Sequence, residues 1–258
     1  MPDPTTLLHD LCPLLRMDSR DRWRPVSAAV VTGLGMLHVG AASDGTRVTR
    51  ECPTLESLTP NRYADGLLVS AADMLSLPKT DALRGEVNRM LAHHPELGDL
   101  VYGTTVMDRQ DVWLTYWMCY PRNDTPMTLG RGAHECDWER LCILVRDGAP
   151  VLAVGSQHRG AEQRAWKDVE LEDGRPVVYP RWGTHAVAFQ RGRKWLGGSM
   201  DIGNGRRLVD PMVEEITPVS HPWMEWPGRW GATPGYVVRG PLSSRTPMRL
   251  LATTAPLA

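Results

Sequence analysis

The segment "HECDWERLCILV" places one histidine and three carboxylates (His134, Glu135, Asp137, Glu139) directly ahead of a strongly apolar run. Alternation along a strand over 137–145 would set Asp137, Glu139, Leu141, Ile143 and Val145 on one side, and Trp138, Arg140, Cys142 and Leu144 on the other. Two carboxylates would then continue the side that carries the most core-like residues. A buried carboxylate is costly unless it is ion-paired, hydrogen-bonded or bound to a metal. The groups thus either form a reactive or binding site, or pair structurally with an arginine such as Arg131 or Arg140.

Two further stretches carry imidazoles in similar settings. In "GSQHRGAEQRAW", Gln157 and His158 follow the strand-like "PVLAV", with Glu162 and Trp166 four apart, a spacing that suits one face of a helical turn. In "PVVYPRWGTHAVAF", Tyr179 and Trp182 lie on an extended piece broken by Gly183. His185 follows and is expected to project from a sheet edge into a cleft. His134, His158 and His185 with Asp137, Glu139 and Glu162 have the ligand types for zinc, iron or manganese, so a divalent metal is one occupant these residues allow. The same groups could work as a metal-free acid and base, with burial splitting their pKa values. No H-x-H or H-E-x-x-H motif selects the metal reading, and the metal and any other cofactor stay open. "VGSQH" is only half of a nucleophile elbow, and "GLGMLHVG" lacks the glycine spacing of a dinucleotide fingerprint.

These residues need a β-rich scaffold to meet. The chain has 258 residues, 42% hydrophobic and 23% charged, with a net charge of −1, which suits a globular protein with a sizeable core. The 24 Gly and 21 Pro imply short elements and many loops. "VYGTTVMD" and "DVWLTYWMCYP", separated by "DRQD", read as a strand pair. "DWERLCILVRDG", "APVLAVGSQH", "RPVVYPRWGTHAVAFQRG" and "GYVVRG" read as further strands. "RPVSAAVVTGLGMLHVG" reads as one or two strands broken at Gly33 and Gly35, and "TRVTRECPTL" as a short extended piece. One helix is clear in "KTDALRGEVNRMLAHHPELG": Thr80 caps it, Leu83, Val87, Met90 and Leu91 share a face, and Pro95 ends it. His93 and His94 then sit where the helix end favours a cation. The expected fold is α+β and β-rich, a mainly antiparallel, sandwich-like single domain over 1–258 with long loops and a few short helices.

Composition also bounds the partners. No basic stripe points to nucleic acid, and no apolar run reaches the roughly 18 residues of a membrane span. The N-terminus lacks the pattern of a signal peptide. Five cysteines with no C-x-x-C pair suggest neither a disulfide framework nor a zinc knuckle, so a cytoplasmic location is expected. Ten Trp and six Tyr against one Phe suit half-buried pocket walls or a bulky core. Trp117, Trp138, Trp166, Tyr179 and Trp182, with Gln157 and Glu162, are the candidate ligand contacts.

Taken together, "LCPLLRMDSRDRWRPVSAAV", "VYGTTV", "VWLTYWMCYPRND", "HECDWERLCILV", "QHRGAEQRAWKDVELEDGRPVVYPRWGTHAVAF" and "WMEWPGRWGAT" resemble the family named after vacuolar protein sorting protein sixty-two, in its actinobacterial form. The resemblance covers most of residues 11–235. It implies that the His134–Asp137–Glu139 segment, the Gln157–His158 turn with Glu162 and Trp166, and His185 share one framework, and it implies no particular reaction. Cys136 stands where that family usually carries Gly, the aromatic after Thr184-His185-Ala186 is delayed to Phe189, and residues 72–100 form a helical insertion.

The leading expectation is a small-molecule enzyme, a hydrolase or cyclase. In it Asp137 and Glu139 serve as acid and base or as metal ligands, and His134, His158 and His185 as proton carriers or further ligands. The competing expectation is a non-catalytic module that binds a carbohydrate, lipid head group or peptide on a Trp-rich surface.

Overall fold

The computed structural model describes residues 2–40, 48–158, 160–196 and 199–241. In chain order the elements are α1 (Pro4–Asp10), β1 (Leu14–Met17), α2 (Ala28–Leu34), β2 (Met36–Val39), β3 (Val48–Glu51), β4 (Met74–Ser76) and α3 (Thr80–His93). Then come β5 (Leu100–Asp108), β6 (Asp111–Asn123), β7 (His134–Arg146), β8 (Ala149–Gln157), β9 (Gly160–Ala165), β10 (Leu171–Glu172) and β11 (Arg175–Val178). The last elements among the described residues are β12 (Gly192–Leu196), β13 (Ser199–Gly203), β14 (Arg207–Val209), β15 (Met212–Glu215) and β16 (Arg229–Trp230). The fold is α+β and β-rich, as the composition implies.

The frame is a six-stranded sheet in the order β15-β5-β6-β7-β8-β9, antiparallel except for the β15–β5 pair. Its central strands β6 and β7 are also its longest, and they run in register from Asp111↔Arg146 to Asn123↔His134. Smaller sheets, β10-β11-β1-β14 and β16-β4-β2-β3, pack around it, and β12–β13 forms a separate hairpin. The main apolar core runs from Leu8 to Trp230, and Leu14, Val177 and Tyr179 form a small second cluster.

The two faces of β7 diverge as alternation predicts. On one face Trp138 packs 5.4 Å from Trp230 and 6.1 Å from both Tyr102 and Trp223 by ring centroids. Arg140 stands over Trp117 at 5.1 Å on that same side. The other face carries Asp137 and Glu139. Segment 184–189 lies across it, where Val187 N–H donates to the Ser156 carbonyl at 2.8 Å. Gly155 permits this close approach, because a Cβ there would sit 2.6 Å from the Val187 carbonyl oxygen.

Five local expectations need correction. Residues 28–34 are helix α2, not strand, because the Ser27 hydroxyl accepts from Ala29 N–H at 3.2 Å and caps it. The apolar run of Ala28, Val30 and Val31 is buried, so packing overrides the β preference of valine. Thr80 is the first helical residue of α3 and not its cap. Glu162 belongs to β9 and Trp166 opens a 3-10 turn, so the pair does not share a helical face. "GYVVRG" forms no strand, although Trp230 N–H does reach the Val238 carbonyl at 2.9 Å. The stretch 72–100 holds α3 and also β4, which pairs with β2 and β16. Among the described residues no helix is long and apolar enough to cross a membrane.

Candidate functional site

Asp137 and Glu139 are 6% and 7% exposed, on the buried side of β7. Across the ladder Asp137 faces Tyr120. The chain returns at Gly183–His185 and lays the His185 ring flat on Tyr120, with centroids 3.8 Å apart and planes within 3°. His185 is completely buried, contrary to the expected cleft position. Its Nδ1 lies 2.9 Å from Asp137 Oδ2, and its Nε2 faces Asp21 Oδ1 at 3.5 Å. The imidazole therefore lies between two carboxylates, hydrogen-bonded to Asp137 and within ion-pair distance of Asp21. Asp21 is itself held by Gly183 N–H at 2.9 Å and Trp23 N–H at 3.1 Å, and the Asn123 amide donates to Asp137 at 3.2 Å.

This geometry sets the charge states. Burial alone would push the His185 pKa down, but the Asp21 charge and the Asp137 hydrogen bond overcome it and lift the pKa to about 10. Glu139 moves well above the usual carboxylate range, because it is buried and sits beside the Asp137 charge. The Ser156 hydroxyl donates to Glu139 and accepts from Arg140 N–H at 2.8 Å. Nearby, His158 Nε2 lies 2.6 Å from Asp201 Oδ2. The Asp201 hydrogen bond raises the His158 pKa against the cost of burial, and the Asp201 and Asp137 charges add to it. Its side chain is 23% exposed, so this imidazole reaches solvent.

Three residues of this region adopt left-handed backbone. Cys136, His158 and His185 have φ of +51°, +39° and +53°, a region that L-residues rarely occupy.

The remaining candidates scatter. His134 turns away, with Nδ1 2.7 Å from the Cys136 carbonyl and its ring stacked 5.1 Å from Tyr236. The Gln157 amide donates to Glu162 at 3.0 Å and to the Val187 carbonyl at 3.1 Å. Glu162 is held by Lys194 and Arg164 at 2.7 and 2.8 Å. Trp182 lies near the cluster through its neighbour Gly183 and stacks under Arg20 at 3.9 Å. Tyr179 donates to Glu170 at 2.6 Å beside a separate cavity, and Trp166 packs against the core. Trp117 and Trp138 are core packing on the opposite face of the sheet, not an open aromatic surface. Among the described residues no group of three or more His, Cys, Asp or Glu side chains is arranged to hold a metal ion.

Sequence reasoning missed Asp21, Tyr120, Asn123, Ser156 and Asp201. Only Asp21 left a trace, as the second carboxylate of the "MDSRDRW" run. Asp201 sits in a hairpin more than 40 residues from His158, and no local pattern marks it.

No family model matches the chain, and no curated protein matches it. Loose similarities exist among solved structures. One described as "Toxin fold for microbial attack and plant defense" is 13% identical, covering 94% of this chain and 87% of that one at a TM-score of 0.47. A Necrosis and Ethylene inducing Protein 2 from the causal agent of cocoa's Witches Broom disease is 12% identical over 81% of this chain and 72% of that one, with a TM-score of 0.41. A mutant of NLPPya is 15% identical at a TM-score of 0.32. The match takes in 45% of this chain and spans half the length of that structure. These similarities are too loose to carry a site or a ligand across to this protein.

Proposed function

We propose that the chain is a non-catalytic binding module for a small hydroxyl-rich molecule, a carbohydrate being the class that suits the site best. One observation carries this reading: His185 is locked between Asp137 and Asp21 with a pKa near 10. A general acid or base works best with a pKa near the operating pH, and this ring stays charged across that range. Glu139 and Ser156 are engaged with each other. Burial pushes the Cys136 thiol up, which makes it a poor nucleophile. The cluster behaves as a rigid polar lattice.

Around it, partly exposed groups alternate in hydrogen-bonding character. Arg122 and Asp124 are 20% and 24% exposed and joined at 2.9 Å, while His158 and Trp182 also reach solvent. Sugar hydroxyls both donate and accept, so such a mixed rim suits them better than it suits an apolar ligand. The test is a saccharide array followed by calorimetry with the best binder. Asp124→Asn and His158→Gln should each weaken binding at least tenfold, with circular dichroism confirming that each variant is folded. Absence of saccharide binding, or equal binding by both variants, would remove the proposal.

The enzyme reading keeps one favourable observation, the solvent-reaching His158–Asp201 pair beside Asp137. Turnover of a bound ligand that His158→Gln abolishes without loss of affinity would replace the binding reading by the catalytic one. Membership of the vacuolar protein sorting protein sixty-two-like family belongs to this proposal as well, on the strength of the motifs quoted above.

A further inference from the structure

Away from the Asp137 cluster, three arginines converge on a small cavity of about 170 Å³ lined by Arg22, Trp23, Arg24, Val26, Val87, Asn88, Leu91, Pro121 and Arg207. Arg22 and Arg24 are two apart on an extended segment and flank Trp23, whose side chain turns inward and donates to Asp124 at 2.9 Å. Arg207 comes from β14, and α3 and β6 supply the apolar wall. Val26, Val87 and Leu91 are nearly or fully buried, so water is excluded from one side and the field of the guanidiniums is screened less.

The cationic charge is poorly compensated. Arg24 pairs with Asp99 at 2.8 Å, and no carboxylate lines the cavity itself. Arg207 donates to a neutral carbonyl, that of Asp21, at 3.1 Å. Among the described residues Arg22 makes no hydrogen bond or ion pair. Two positive charges in excess thus face a space large enough for several water molecules.

We propose that this cavity is a phosphate site, for free phosphate or a phosphomonoester. Guanidinium forks recognise oxyanions through paired N–H donors. A planar carboxylate can satisfy two such forks, whereas a tetrahedral phosphate has oxygens enough for three cations. The apolar wall leaves room for the carbon beyond an ester oxygen. The pocket shares a structural wall with the candidate site, because the carbonyl that Arg207 holds belongs to the residue whose carboxylate faces His185.

The experiment titrates the full chain with inorganic phosphate, phenyl phosphate and acetate at constant ionic strength, following the Trp23 indole N–H signal by NMR. Saturable binding of at least one phosphate compound, tenfold or more weaker in Arg22→Gln and in Arg207→Lys, is the expected result. Arg22 is exposed, so its replacement leaves the fold intact, and circular dichroism checks the Arg207 variant. Tighter binding of phenyl phosphate than of phosphate identifies a phosphomonoester site, and the reverse a free phosphate site. Non-saturable shifts, equal shifts with acetate, or unchanged affinity in Arg22→Gln would overturn the proposal.

Discussion

Raising the pH should dismantle the His185 clamp, and the size of the loss can be worked out. The ring's pKa is about 10 in the folded protein against an ordinary 6.5. A folded pKa raised above the unfolded one stabilises fully below the unfolded value, and that stability is lost as pH rises through the folded value. At about 1.4 kcal/mol per pH decade, the full contribution is on the order of 5 kcal/mol in acid. Integrating the linkage leaves about 4 kcal/mol at pH 6.5, about 3 at pH 8, and under ~1 by pH 10. Glu139, also raised, loses stability with rising pH in a window that starts lower, above its ordinary 4.5. The measurement therefore belongs in a Glu139→Gln background. Urea unfolding from pH 6 to 10 should show stability falling by several kcal/mol, and the same series in the Glu139→Gln/His185→Gln protein should lack most of that fall. Carbon-attached ring protons of His185, followed by NMR, give the pKa directly without any variant at that position. A ring midpoint below pH 7.5, or parallel stability curves for the two proteins, would refute the reasoning.

Other outcomes follow from the same contacts. Glu139→Gln alone should be neutral or stabilising by about 1 kcal/mol at pH 8, since an amide replaces an acid that burial already disfavours as an anion; denaturant midpoints check this. Asp137→Leu strips His185 of one partner and should cost about 3–5 kcal/mol, the range for breaking a buried pair, read as a drop in melting temperature. Gly155→Ala drives a methyl into the Val187 carbonyl and should destabilise by about 1–3 kcal/mol, with the largest NMR shifts along 184–189. His158→Gln should weaken saccharide binding and also lower the melting temperature, because the buried Asp201 loses its cationic partner; calorimetry and thermal melts read the two effects separately.

The strand pair over 100–123, the long β7, helix α3 and the burial of Asp137 and Glu139 are all legible from the chain, because each depends on periodicity that neighbouring residues carry. The burial of a carboxylate was the informative anomaly, and it does mark the polar cluster. Local pattern misleads at 28–34, where a capping serine and burial on several sides outweigh the β preference of valine. It also misleads for the tryptophans, since composition counts them without saying which face of the sheet they join. Trp138 and Glu139 are adjacent in sequence, yet one enters the aromatic core and the other the polar cluster.

What only the tertiary structure decided is the partner of each ionisable group. His185 meets Asp21 across 164 positions of chain, His158 meets Asp201 from another hairpin, and His134 turns to a carbonyl beside it. A titratable residue's chemistry depends on charges and burial within a few ångströms, whereas sequence patterning reports only which way a side chain leaves its own backbone. The chain alone could therefore mark where charge is buried. Whether that charge moves protons or stays locked depends on contacts between segments that lie far apart along it.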